Sequence, residues 1–296
     1  MPNPSPCLTI AGPTASGKSG IAIEVAKLIN GEIIGADAFQ IYRGLEILTA
    51  QVPEHERQGI PHHLVGCIDP TQAFDVAHYL EMARTKIREV RASGRVPILV
   101  GGTGLYIRAV LHGLAEGLPP ADPVLRAQLE REELPCLVSR LAELDLEAVR
   151  TVDLKNPRRV IRALEVCLLT DKPFSSFRNQ TPWQGAPSGI WIATDRQELH
   201  ARIALRSEKM LQLGAIDEVS KLNPHLGSTA SQAIGIEDIR AFLEGRSSLT
   251  DVQQTLTLKT RQYAKRQQTW FKKEQCLRPC PRDNAIEAAV KLAAAF

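Results

Sequence analysis

The sequence predicts an α/β protein, a parallel sheet with helices on both faces and an all-helical domain inserted into it. Three observations carry this. In the N-terminal third, short continuously apolar runs alternate with stretches of helical periodicity, as in parallel sheets buried on both sides. From Gly117 onward only helical patterns follow, and strand character returns at GIWIATD, residues 189–195.

The first unit reads strand, loop, helix: CLTIAG, then PTASGKS, then GIAIEVAKLIN. A second strand, GEIIGADA, precedes a helical pattern from His78 that Gly94 ends. RVPILVGGTGLY is a buried strand entering a glycine turn. After GLPPADP come three helical stretches, VLRAQLEREEL, CLVSRLAELDLEAV and PRRVIRALEVCLL. The polar run FSSFRNQTPWQGAPSG, residues 174–189, reads as a linker, and Arg196 to Leu213 is again helical. The expected division is therefore 1–117 with 188–296 as core and 118–187 as insertion. An alanine-rich helix near Ala288 to Ala295 closes the chain.

A chain of 296 residues, 44% hydrophobic, can bury a full core. It has no apolar run of membrane-spanning length and no secretory start, so a cytoplasmic protein with no membrane contact is expected. The six cysteines form no disulfide framework; Cys276 and Cys280 make C-x₃-C, but no second pair follows at zinc spacing, so free thiols are expected. Net charge is only +3, from 36 Lys and Arg against 33 Asp and Glu. Its distribution says more: Lys259 to Arg282 carries eight basic residues against the lone Glu274, interleaved with Tyr263, Trp270 and Phe271. That mixture suits a nucleic-acid backbone and unstacked bases; it equally suits a solvated amphipathic helix.

GPTASGKS, Gly12 to Ser19, matches G-x-x-x-x-G-K-[ST], the phosphate-cradling loop, and makes the core P-loop NTPase-like. Backbone amides of Gly12, Pro13, Thr14, Ala15, Ser16 and Gly17 (save the proline) with the following helix N-terminus face an anion. Lys18 adds a point charge and Ser19 a hydroxyl suited to Mg²⁺. Asp37 ends the second strand at the edge where ligands of such sheets bind. It is a magnesium-side carboxylate, a general base, or a turn aspartate satisfied by backbone amides. The glycines of GGTGLY mark close approach of backbone to a ligand, with Thr103 to bond it, or a tight turn. Arg202 and Arg206, four apart, share a helix face and either close over a phosphate group or lie in solvent. His62, His63 and His78 have no partner at ligand spacing and read as core or loop residues.

Taken together, GPTASGKS, DAFQIY, PHHLV, RVPILVGGTGLYI, NPRRVIRALEV, SQAIG and TRQYAKRQQTWF resemble the tRNA dimethylallyltransferases in order, from residue 8 to about 274. The resemblance implies transfer of a dimethylallyl group from its diphosphate to N6 of the adenosine 3′ of a tRNA anticodon, with Mg²⁺. It implies Asp37 as the base, Lys18 and Arg206 as cations on the leaving diphosphate, and a monomer binding the anticodon stem-loop. It places Asp37, Ala38, Phe39, Gln40, Thr103, Arg126, Arg158, Arg159, Val160, Ile161 and Arg162 near the tRNA. The chain departs from the family pattern at Ala38, at Leu48 and Gln51 where a glycine and a lysine are usual, and at Ile236. Three rivals stand beside it: a prenyltransferase for free adenine nucleotides, an ATP-dependent kinase, and a non-catalytic RNA-binding protein. The insertion and AKRQQTWF weigh against the first, since a small acceptor needs neither. Joint retention of Lys18, Ser19 and Asp37 weighs against the last.

Overall fold

The computed structural model describes residues 7–115, 117–177, 188–222 and 224–294. Six parallel strands form one sheet: β1 (Leu8–Ala11), β2 (Gly31–Ala36), β3 (His62–His63), β4 (Val96–Gly101), β5 (Gly189–Ala193) and β6 (Leu277–Pro281), in the order β3-β2-β4-β1-β5-β6. Alternation along the strands sends Leu8, Ile10, Ile33, Ile98, Val100, Ile190 and Ile192 to one face, under α1 (Lys18–Ile29). Toward the other, α2 (Val76–Ala92) and α3 (Gly104–His112) pack together through Tyr79 and Tyr106, whose rings stack at 3.9 Å. The Tyr79 hydroxyl donates to the Gly35 carbonyl of β2, so a buried phenol is satisfied by the sheet itself.

Contacts divide the chain into two units: Met1–Gly113 with Trp183–Phe296, and Leu114–Pro182. The second unit holds α4 (Pro123–Leu129), α5 (Leu134–Leu144), α6 (Leu146–Thr151) and α7 (Pro157–Thr170) around Leu129, Leu137, Leu141, Val160, Ile161 and Leu164. The stretch CLVSRLAELDLEAV is two helices rather than one. Asp145 leaves helical geometry (φ −157°); its carboxylate caps α6 at the Ala148 N–H and accepts from the Ser175 N–H. Of the expected linker, 178–187 lies outside the described residues, and Phe174–Phe177 is a single 3₁₀ turn.

In the first unit the chain continues through α8 (Arg196–Gln212), α9 (Ala215–Ser220), α10 (Ile236–Leu243), α11 (Leu249–Phe271) and α12 (Ala285–Ala293). Helix α12 packs beside α1 on its sheet face; position 295 of the expected alanine-rich helix lies outside the described residues. No helix among the described residues is long and apolar enough to cross a membrane.

Candidate active site

Every strand that matters to the site ends at the same edge of the sheet. β1 runs into Gly12–Ser19, β2 into Asp37 and β4 into the GGTG turn, while β5 leads into α8 and its arginines.

The loop after β1 turns through positive φ at Ala15 (62°) and Gly17 (87°). This tight, anion-nest-like turn runs straight into α1. No side chain caps α1 and its first turn holds no acid, so its N-terminal amides are left for an anion. The Ser16 hydroxyl is buried with no partner. Lys18 is buried, its ammonium 3.4 Å from the Pro13 carbonyl. Burial, opposed by the Asp37 charge and helped by Arg206, pulls Lys18 down to about 8.

Arg206 does not lie in solvent. Nη1 donates to the Thr14 hydroxyl at 2.8 Å and Nη2 to the Thr49 carbonyl at 3.2 Å, while Nε is buried without a partner. Burial lowers the Arg206 pKa, with Asp37 acting against the shift. Arg202, one turn earlier, is 3.4 Å from Glu198.

Asp37 sits in a local turn and also lines a cavity. Oδ1 accepts from the Phe39 and Gln40 amides at 3.0 and 3.4 Å, a local turn, which leaves Oδ2 free of the backbone. The same residue lines a cavity of about 50 Å³ with Thr14, Phe39, Leu48, Arg206 and Tyr263. Thr103 fixes the turn by accepting the Ala38 N–H at 2.9 Å. Gln40 is engaged within the protein: its amide donates to the Thr49 and Ala50 carbonyls. Glu218 accepts the Ile47 and Leu48 amides, holding the segment in which the chain departs from the family pattern.

The GGTG glycines meet protein, not open ligand space. A Cβ on Gly101 would stand 2.0 Å from the Ala36 carbonyl, and one on Gly104 2.3 Å from the Trp270 ring. Gln267 is the fastener: it accepts the Thr14 N–H at 2.8 Å and donates to the Gly102 carbonyl at 2.9 Å, tying the phosphate loop to this turn. Tyr263, one helical turn away, bonds Thr103 and Gln267, and burial beside Asp37 raises its phenol. Sequence reasoning missed Gln267 and took Tyr263 only as one aromatic of the basic run. The signal was present: Leu256, Thr260, Tyr263 and Gln267 fall at helical spacing and share the inner face of α11.

The helical unit treats its expected residues differently. Arg126 and Arg162 each lie 2.7 Å from Glu165, a fully buried carboxylate, and Arg162 also donates to the Pro119 carbonyl. Val160 and Ile161 are core residues, so their side chains are turned away from solvent. Arg158 and Arg159 are exposed on the first turn of α7.

The family described as IPP transferase matches residues 40–274. A tRNA dimethylallyltransferase of Akkermansia muciniphila is 41% identical over 93% of this chain and 92% of its own length, and one of Streptomyces coelicolor is 40% identical over 90% and 87%. Among solved structures, the tRNA isopentenylpyrophosphate transferase of Bacillus halodurans is 34% identical with TM-score 0.69, covering 97% of this chain and 94% of its own. A eukaryotic dimethylallyltransferase acting on tRNA is 27% identical with TM-score 0.76, covering 90% and 69%. With a matched segment that spans most of its length and relatives aligned nearly end to end, the chain belongs to the IPP transferase family.

Proposed function

We propose that this protein transfers a dimethylallyl group from dimethylallyl diphosphate to N6 of the adenosine 3′ of the anticodon in tRNA, releasing diphosphate. The observation that carries the reading is the cavity itself. A carboxylate, an arginine and the phosphate loop's Thr14 share it with apolar walls that include Leu48, Met210 and Ile234. A prenyl donor needs an apolar slot beside its diphosphate, and this cavity has one.

The roles follow from the chemistry. The allylic C–O bond breaks and its electron pair leaves with the diphosphate. Amides of Gly12–Ser19, the Lys18 ammonium and the Arg206 guanidinium receive that charge. The N6 lone pair forms the new C–N bond, and the N6 proton passes to Oδ2 of Asp37, the oxygen not engaged by backbone. Phe39 and Tyr263 flank the place where the base must enter after leaving its stack.

The donor set at Ser19 fits Mg²⁺: a partly exposed hydroxyl opening onto the groove that Arg206 also lines, with hard oxygens and no thiol among its lining residues. When bound, Mg²⁺ neutralises charge on the diphosphate. On the tRNA side, Asp37–Gln40 and Thr103 shape the adenosine pocket, and Arg158 and Arg159 hold the anticodon stem-loop backbone. Arg126 and Arg162 support that face through Glu165, as do Val160 and Ile161 through the core. The enzyme acts as a cytoplasmic monomer. Incubation with unmodified tRNA and dimethylallyl diphosphate, followed by nucleoside mass analysis, tests the reading: a prenylated adenosine is expected, and tRNA recovered unchanged overturns it.

A further inference from the structure

Away from the cavity, three donors far apart in sequence converge: His112, the last residue of α3; Glu274, just past α11; and Cys276, just before β6. His112 Nε2 is 3.2 Å from Glu274 Oε1, the Cys276 sulfur is 3.4 Å from the same oxygen, and the three ligand atoms all lie within 4.8 Å of one another. The other carboxylate oxygen, Oε2, is gripped by Arg108 through Nε at 3.1 Å and Nη2 at 2.9 Å, which fixes Oε1 toward the imidazole and the thiol. Arg108 is in turn set over the Trp270 ring at 5.2 Å. Cys276 and Glu274 are buried, while the His112 side chain keeps 24% exposure and so leaves a way in.

We propose that His112, Glu274 and Cys276 form a transition-metal site that takes Zn²⁺, with water as the fourth ligand on the exposed side of His112. Zinc bonds of roughly 2.0–2.3 Å place tetrahedral neighbours about 3.3–3.7 Å apart, close to the two spacings found. An imidazole, a carboxylate and a thiol together select a borderline metal over Mg²⁺ or Ca²⁺. Arg108 is the outer partner that orients the ligating carboxylate. Loading releases one proton: the thiol proton leaves to solvent as the Zn–S bond forms, and His112 binds through Nε2 as the neutral tautomer that carries its proton on Nδ1. The bound ion ties α3, the end of α11 and the edge strand β6 into one clasp. The expectation of free thiols rested on the C-x₃-C spacing to Cys280, whereas the donors that meet Cys276 come from elsewhere.

The test is Co²⁺ titration of the metal-stripped full chain without oxygen, read as a thiolate-to-cobalt charge-transfer band. One equivalent should saturate it, and Zn²⁺ should bleach it. Cys276→Ser should abolish the band, Cys280→Ser should leave it intact, and Arg108→Ala should weaken cobalt affinity about 10–100-fold. His112→Ala keeps the thiol and changes a partly exposed residue, so it reports on the site even if the serine variant misfolds; affinity should fall at least as far. A wild-type protein with no saturable band, or an equal band in His112→Ala, overturns the proposal and leaves a hydrogen-bonded triad only.

Discussion

Buried charges in two regions of this molecule are handled in opposite ways. In the helical unit, Glu165 is fully buried, and two guanidiniums and the Asp122 amide satisfy it. At the sheet edge, Lys18 is buried against a carbonyl at the limit of hydrogen-bond distance, and Arg206 keeps a buried Nε with no partner. A charge fully compensated within the fold is structural. A charge left short of partners, beside an uncapped helix N-terminus, is what the proposed diphosphate role of Lys18 and Arg206 requires. The contrast separates Arg206 from Arg126 and Arg162.

The largest effect that sharpens this contrast is at Asp37. Asp37→Asn keeps an oxygen for the Phe39 and Gln40 amides but removes the proton acceptor. Single-turnover prenyl transfer should fall about 10²–10⁴-fold. tRNA affinity, measured by filter binding, should change little. Wild-type turnover in this variant would leave Asp37 as a turn residue alone.

Next come the arginines. Arg206→Gln should lower kcat/KM for dimethylallyl diphosphate about 10²–10³-fold, the scale of losing one donor to a developing anion. Replacing both Arg126 and Arg162 with Ala strands Glu165 and should cost the fold about 3–5 kcal/mol in denaturant titration. That pair should leave the KM for dimethylallyl diphosphate unchanged. Were the double variant as stable as wild type, the structural reading of Glu165 would fail.

Lys18 joins stability to chemistry. Its native pKa of about 8 lies below the ordinary 10.5, so the unfolded chain holds the extra proton between those values. Stability therefore rises with pH from about 8 to 10.5, and the cost of burying the charge is fully present below 8. Lys18→Met should raise the stability of the ligand-free protein by up to about 3 kcal/mol while raising the KM for dimethylallyl diphosphate. In the wild type, affinity for that substrate should decline as pH passes 8, because the diphosphate prefers the protonated lysine. Calorimetry and a pH profile of kcat/KM check both.

What the sequence made legible follows from the range of the forces involved. Strands β1, β2, β4 and β5 are apolar runs, and the phosphate loop is a local backbone motif, so both are written in adjacent residues. The edge strands are not. β3 is His62–His63 alone, and β6 buries only Leu277 and Cys280 and carries Pro279 and Pro281, tolerable only at an edge. Helix α11 buries few apolar side chains, and its functional face depends on Gln267 reaching Thr14 across 253 positions, which no local pattern records. Asp37 was legible as a candidate, but only the structure showed which of its oxygens the backbone takes.

The smallest effect tests the exposed counterpart to Arg206. Arg158 and Arg159 stand in the first turn of α7, where the helix dipole disfavours cations and where Asn156 supplies no side-chain cap. Asp153, 3.7 Å from Arg159, is half exposed and compensates little. On the proposed function, these two exposed arginines would meet the phosphates of the RNA backbone. Arg158→Gln with Arg159→Gln should therefore leave single-turnover chemistry at saturating tRNA intact. It should reduce the slope of log affinity against log salt by about 1.5, roughly two phosphate contacts. An unchanged slope would make these arginines solvated surface and move the RNA-binding role of the unit elsewhere.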